Sequence, residues 1–332
     1  MINSSLPASQ EVPVSAISTA PRRRAMPVEF GVTVVLAVVL AYFSWKDPYF
    51  RSYENGRLMS KQSAELALLG TGMTLVIATG GIDISIGSVL ALCSMTLGWL
   101  CVNLGWSVWV ACAGAVVLGS ACGLMNGLFI AVGKLPPIVV TLATMAAARA
   151  AASLFNGGRS ISGLPDALNR TFDLTDVARL PLLLWVGVAS IAAGGIVLKR
   201  TAFGRQVLAL GGNRETTRLA GNPIRRVEIM VYVMSGALAG IAAVLNTAHK
   251  ATATPDAGQY LELTAITAVV LGGTVITGGK ASMFGTALGV ITITALISGV
   301  RLMGQEDRLA WFLVGAALLL AVEVQKGRST PN

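Results

Sequence analysis

The stretch Lys199-Arg200-Thr201-Ala202-Phe203-Gly204-Arg205-Gln206-Val207-Leu208-Ala209-Leu210-Gly211-Gly212-Asn213-Arg214-Glu215-Thr216-Thr217-Arg218-Leu219-Ala220-Gly221-Asn222-Pro223-Ile224-Arg225-Arg226 decides how this chain folds. It holds seven basic residues, Lys199, Arg200, Arg205, Arg214, Arg218, Arg225 and Arg226, against one acid, Glu215. Apolar runs flank it at 181–198 and 227–246. Runs of that length suit a hydrocarbon core about 30 Å thick. A basic link between two of them stays on the cytoplasmic face, because Lys and Arg in short loops resist translocation. The stretch therefore reads as a cytoplasmic loop of a polytopic membrane protein.

The other basic clusters fall on the same side as this loop. Further apolar runs lie at 30–45, 63–81, 84–102, 107–132 and 138–156 on one side, and at 262–278, 284–300 and 309–323 on the other. Six runs separate the loop from the cluster Arg22, Arg23 and Arg24, so even parity puts both on one side. Four more bring Lys326 and Arg328 to that side as well. The segment 157–180 balances Asp166, Asp173 and Asp176 against Arg159, Arg170 and Arg179, and falls outside. The pattern predicts an all-α integral membrane protein, a bundle of about ten transmembrane helices with both termini cytoplasmic. Residues 1–26 read as a disordered tail, 27–325 as the membrane domain and 326–332 as a second tail. The basic patch before the first run suggests a signal peptide. No small-x-small cleavage site follows, and Tyr42, Phe43 and Trp45 stand there instead, so that helix is expected to be retained.

Composition agrees. The 332 residues include 25 Lys and Arg and 16 Asp and Glu, and charged residues make up only 12%. Hydrophobic residues reach 54%, and the mean hydropathy is +0.70. A soluble protein with so little charge could not cover its surface. A disordered chain, a disulfide scaffold, a coiled coil and a large extramembrane catalytic domain are excluded too. The net charge of +9 belongs to cytoplasmic loops, with no nucleic-acid partner implied. Cys93, Cys101, Cys112 and Cys122 lie in apolar runs without CxxC spacing and read as small buried fillers. The nearest approach to an ATP-binding loop, Thr274-Val-Ile-Thr-Gly-Gly-Lys280-Ala281, lacks the first Gly and the final Ser or Thr. Any ATP must be bound by another chain. No Ser/His/Asp set, HExxH or carboxylate pair appears, so an enzyme has no support.

Candidate functional groups are few. Gly80-Gly81-Ile82-Asp83-Ile84-Ser85-Ile86-Gly87-Ser88 joins two apolar runs, either as a tight turn or as an unwound stretch in a broken helix. Asp83 is the one acid read as lying inside a span, where carboxylates are functional candidates. It could contact solute, or Asp83 or Ser85 could cap the next helix. Asn126, Thr141, Thr144, Asn246 and Thr267 could bond a hydroxylated solute or simply bond between helices. Arg149 is expected to snorkel outward and His249 to end a helix. Glycines spaced by four, at 119, 123 and 127, at 236 and 240, and at 285 and 289, predict close helix packing. In the basic loop one short amphipathic helix is expected, capped by Asn213 and stopped at Gly221-Asn222-Pro223. It could dock in a groove of another protein or lie on anionic headgroups.

These residues together resemble the permease subunits of bacterial ATP-binding-cassette importers, within them the monosaccharide group that includes ribose, xylose, rhamnose and autoinducer-2 permeases. The resemblance runs from about Leu58 to Val322. It rests on Thr79-Gly-Gly-Ile-Asp-Ile-Ser-Ile-Gly-Ser88, on Gly123-Leu-Met-Asn-Gly127 with Pro136-Pro137-Ile138-Val139-Val140-Thr141-Leu142, on Thr201-Ala-Phe-Gly-Arg205 to Gly221, and on Ala268-Val-Val-Leu-Gly-Gly273 with Gly278-Gly279. Lys280-Ala281-Ser282 departs from it, since the family often has Ser directly after the second Gly pair. The resemblance implies a coupling loop seated on a separate ATPase subunit, here Gly204, Arg205, Gly212, Asn213, Arg218, Ala220 and Gly221. It implies a second permease chain, a periplasmic binding protein and no cofactor of the chain's own. Asp83, Ser85, Asn126, Thr141 and Asn246 are the expected substrate-pathway residues. An ion-coupled secondary transporter is the alternative, disfavoured because no other ionisable group is read as lying well inside a span.

Overall fold

The computed structural model describes residues 28–305 and 307–329, so the N-terminal tail with its Arg cluster lies outside the described residues. The helices are α1 (Val28–Lys46), α2 (Tyr53–Ala78), α3 (Ile86–Val102), α4 (Val108–Ala131), α5 (Pro137–Leu154), α6 (Asp166–Phe172), α7 (Leu182–Arg200), α8 (Ala202–Gly212), α9 (Arg214–Leu219), α10 (Ile224–Lys250), α11 (Leu261–Leu271), α12 (Met283–Leu302) and α13 (Asp307–Ser329). A two-residue hairpin, β1 (Asp176–Val177) and β2 (Leu180–Pro181), pairs Asp176 with Pro181 and Val177 with Leu180.

Each of the ten apolar runs contains one helix. Among the described residues seven helices, α1, α4, α5, α7, α10, α12 and α13, are long and apolar enough to cross a membrane. The other three fall short for different reasons. The 26 residues of α2 include Lys61 and Glu65, α3 has 17 residues, and α11 has 11. The chain is a multi-pass, all-α membrane protein.

Helix α10 packs on α2, α3 and α4, most extensively on α4. Its glycines meet those of α4 with no side chain between them. A Cβ at Gly123 would strike the Tyr232 carbonyl, and one at Gly119 or Gly236 would strike the other's helix backbone. Gly285 and Gly289 of α12 make the same approach to Gly272 and Ala268. The four-residue glycine rows thus serve helix packing, as their spacing predicts.

Directions follow from who meets whom along α10. Asn246 bonds Glu65, while Ser235 lies against Gly72, so α2 runs antiparallel to α10. Ser94 bonds Thr247 at 2.7 Å while Asp83 bonds Ser235, so α3 runs parallel to it. The link at 79–85 therefore reverses the chain between two helices, which settles the turn-or-broken-helix question in favour of a turn. The outer ends of α1 and α13 reach the end of the bundle that carries α8. Ser282, just after the 272–281 loop, donates to Glu29, and Gln325 donates to the Val270 and Thr274 carbonyls.

Two expectations fail. The run at 262–278 is not one span: its helix ends at Leu271 because Gly272-Gly273 and the Gly278-Gly279 pair turn the chain away. Residues 251–260 do the rest of that crossing without a helix. Ala253 pairs with Ile161 and touches Gly98, whereas Gly258 lies on Gly87. The 11 residues between those two α3 glycines put the descent at about 16 Å, at 1.5 Å per residue. Arg149 does not snorkel outward either. Its Nη1 donates to the Pro255 and Ala257 carbonyls at 3.0 and 2.8 Å, which the descending strand offers with no helix partner. His249 lies in the last turn of α10, as expected, and bonds Asp173, which also holds Lys61 at 2.7 Å.

Candidate functional site: the basic end and the buried polar centre

The basic loop folds as two helices rather than the single one expected. Thr201 caps α8 through the Gly204 N–H at 3.0 Å. Asn213 breaks the run with an extended backbone and caps α9 through the Thr216 N–H at 2.9 Å. One face of α8 is buried through Gly204, Val207 and Leu210. Gly204 has no room for a Cβ against the Val197 and Leu198 carbonyls, which sets the corner between α7 and α8. Arg205, Gly212, Asn213, Arg218, Ala220 and Gly221 face outward. The structure therefore presents six of the seven expected coupling residues on the surface and uses Gly204 as the bend.

The inner seat of α8 is made of backbone. Gly211 lies on the Ala78 carbonyl and the Gly279 N–H, and Gly278 lies 2.7 Å from the Gly80 nitrogen at the position a Cβ would take. The Gly279 N–H donates to the Ala78 carbonyl at 3.0 Å. Gly80, Gly278 and Gly279 have φ of 83°, 88° and 77°, which side chains rarely tolerate. Three loops thus meet where only glycine fits: the end of α8, the link after α2 and the turn after α11.

Two ion pairs shape the outer face. Arg214 holds the buried Glu228 with two hydrogen bonds. Arg218 holds Glu215 at 3.0 and 2.5 Å. That guanidinium lowers the Glu215 carboxyl below its ordinary value. The pair therefore supports α9 at neutral pH and is lost as pH falls through the lowered value. Being fully exposed, it contributes little.

Deeper in the bundle, four of the five expected pathway residues join one network. The Asp83 carboxylate accepts from the Ser85 N–H at 3.0 Å, the Ser85 hydroxyl at 2.6 Å and the Ser235 hydroxyl at 2.9 Å. Asn126 donates to Ser85 Oγ at 3.0 Å and accepts from Thr144 at 2.5 Å. Thr141 donates to the Ile82 carbonyl at 3.3 Å. Asp83, Ser85, Asn126 and Thr141 are all at most 2% exposed. Asp83 and Ser85 thus shape the turn before α3, though Ser85 itself makes no side-chain cap bond. In this conformation these groups bond one another and tie the 79–85 link to α4, α5 and α10. Tyr232, 1% exposed, points its unpartnered hydroxyl towards Gly81, where a Cβ would come within 2.6 Å.

Asn246 is not part of this cluster. It lies 11 residues further along α10 than Ser235, about 16 Å at the helical rise, and donates to Glu65 at 2.8 Å. Glu65 sits midway along α2. Neither Glu65 nor Ser235 carries a local signal of this role: Glu65 continues the polar stretch Lys61-Gln62-Ser63, and Ser235 is a single hydroxyl among apolar neighbours. The expectation that Asp83 stands alone among intramembrane acids is thereby corrected: Glu65 and Glu262 are also enclosed by helices.

Residues 59–322 match the family described as branched-chain amino acid transport system / permease component. The ribose import permease protein RbsC of Escherichia coli K12 is 34% identical over 294 residues, covering 88% of this chain and 91% of that protein. RbsC of Bacillus subtilis is 33% identical over 306 residues, covering 91% and 94%. The autoinducer 2 import system permease protein LsrC of Escherichia coli K12 / DH10B is 33% identical over 307 residues, covering 90% and 86%. No solved structure matches this chain. With its bundle of apolar helices and a match across nearly its whole length, the chain belongs to the family of transport-system permease components that includes these import permeases.

Proposed function

We propose that this chain is the transmembrane subunit of an ATP-binding-cassette importer for a monosaccharide or similar small hydroxylated solute. On this reading it crosses the bacterial inner membrane ten times with both termini in the cytoplasm. It works with a second permease chain, a separate ATPase subunit and a periplasmic binding protein. It needs no cofactor itself and catalyses no reaction, ATP being used by the partner.

The observation that carries this reading is the seat of α8. A helix pushed from the cytoplasm bears directly on the ends of α2 and α11 through backbone contacts that cannot yield by rotating a side chain. A displacement there moves the 79–85 link, and with it the Asp83 network that holds α4, α5 and α10. Motion at the basic end is thereby converted into a change of helix packing. Alternating access requires such a conversion between two discrete arrangements.

Uptake by membrane vesicles containing the permease, its ATPase and its binding protein tests the assignment. Uptake should require ATP and the ATPase subunit, and ion-driven uptake without that subunit would overturn it. In the same assay Gly211→Ala should insert normally, yet lower ATP-driven uptake about tenfold, in the usual range for a coupling between sites. Replacing both Arg205 and Arg218 with Ala should weaken co-purification with the ATPase while leaving membrane insertion intact. Unchanged co-purification and uptake would show that those two side chains take no part in docking.

A further inference from the structure

Between α3, α5 and the start of α11 lies an open cavity of about 480 Å³, lined by Ser88, Met145, Ala146, Arg149, Ala150, Ser153, Gln259, Tyr260 and Glu262. Its volume falls within the range of about 300–1,000 Å³ for small-molecule sites. Its chemistry is out of place in a bilayer. The exposed residues beside it on α5 are Leu142, Ala143 and Ala147, whereas the cavity adds to the apolar Met145, Ala146 and Ala150 a guanidinium, a carboxylate, an amide, a phenol and two hydroxyls. Ionisable groups at membrane depth face a polar cavity or one another, and mark solute pathways.

The groups are carried by irregular backbone anchored in the core through Ala253 and Ala257. Residues 251–260 descend into the bundle, and α11 begins there as a half-length helix of 11 residues. Discontinuous helices of this kind commonly form solute sites near the bilayer midplane. Tyr260 takes a left-handed conformation, φ 65°, unusual for a bulky residue, and packs its ring on Trp311 at 4.4 Å. Strain of that kind is found where a site is held in shape. Glu262 Oε2 is buried with no hydrogen-bond partner, in space that Gly87 leaves open by lacking a Cβ. Arg149 uses Nη1 on the Pro255 and Ala257 carbonyls. Its Nε and Nη2 keep three N–H donors for a ligand.

We propose that this cavity is a solute-binding subsite, and that its ligand is a neutral polyhydroxylated molecule of monosaccharide size. This rests on the importer reading for its place in transport, but not for its chemistry. Arg149 and Glu262 have opposite formal charges, so together they select neither anions nor cations. A hydroxyl can accept from the guanidinium and donate to the carboxylate, while Gln259 offers both a donor and an acceptor. The Tyr260 ring supplies an apolar edge for the carbon face of such a ring-shaped solute.

The test uses the full assembly of permease, ATPase and binding protein in vesicles, with the four native cysteines replaced and Ala150→Cys as a reporter. A membrane-impermeant maleimide should label Cys at that position, because a cavity that takes a hydrophilic solute admits water. D-Ribose, D-xylose or L-rhamnose should slow the labelling, while glutamate and spermidine should not. Glu262→Gln and Arg149→Lys should abolish that protection and raise the KM for uptake about tenfold, as the loss of one hydrogen bond to a charged partner would. Gln259→Ala, at an exposed position that folding tolerates, should do the same to a lesser degree. Absence of labelling, or labelling that none of the three sugars slows, overturns the subsite. ATP-driven uptake with KM unchanged in all three variants overturns it while leaving the importer reading intact. Sugar protection without any ATP-driven uptake does the reverse.

Discussion

Replacing Asp83 with alanine should destabilise the folded protein by about 3 kcal/mol and abolish transport, whereas asparagine at the same position should retain most of both. The size follows from what is left behind. Asp83 accepts three hydrogen bonds, two from Ser85 and one from Ser235, at a site only 2% exposed. Alanine would strand those donors, at about 1–3 kcal/mol for each buried group left unsatisfied, partly offset by relaxation. Asparagine keeps a carbonyl for Ser85 and turns its amide to Ser235, whose hydroxyl can accept as well as donate. The comparison also separates two roles. If Asp83 carried a proton across the membrane, asparagine would stop transport as completely as alanine. If it ties the 79–85 link to α10, asparagine suffices. Thermal unfolding of the detergent-solubilised permease and ATP-driven uptake, measured on both variants, give the answer.

Gly123→Leu should have a still larger effect, preventing accumulation of the folded permease. A Cβ at Gly123 would strike the Tyr232 carbonyl directly and lie within 3.0 Å of Val233 Cα. Both obstacles are backbone of α10, so no rotamer change relieves them. Even Gly123→Ala forces the helices apart, with an overpacking cost of about 1–3 kcal/mol. Leucine would separate α4 from α10 along the whole row that includes Gly119 and Gly127. Gly31→Leu is the control, since no atom lies within 4 Å of a Cβ there. Size-exclusion profiles of a fluorescently tagged permease would compare the three. A monodisperse Gly123→Leu protein would mean that the packing of α4 on α10 is not required for folding.

Much of this architecture was legible in the sequence because bilayer physics leaves strong marks. The basic stretch at 199–226, the four-residue glycine rows and the apolar runs each have one dominant cause. The turn at 79–88 was legible as a problem, and its residues Asp83 and Ser85 do fall in one cluster with Asn126 and Thr141. What could not be read was the partner of each polar group. Ser235 and Thr144 complete the Asp83 network, but nothing in their local sequence distinguishes them from Thr71 or Ser190, which bond their own helices and each other instead. Asn246 looked equivalent to Asn126 and pairs instead with Glu65, since helix rotation and neighbour choice are tertiary properties. The descent of 251–260 was hidden for a different reason. Hydropathy at 262–278 averages over a helix and a glycine-rich loop, and an average cannot show where hydrogen bonding stops.

That descent has a consequence for how the protein is made. A segment leaving the ribosome enters the bilayer only if it is apolar and satisfies its own backbone hydrogen bonds. Residues 251–271 meet neither condition, carrying Asp256 and Glu262 and forming only 11 residues of helix. Their unpaired carbonyls at Pro255 and Ala257 find donors on Arg149 of α5, and Ala253 finds its pair at Ile161. Those partners lie about a hundred positions earlier in the chain. This segment therefore settles into place only after the earlier helices have assembled to receive it. Its insertion is a late act of tertiary folding, and the last third of the chain takes its final shape only once α5 is in place to receive it.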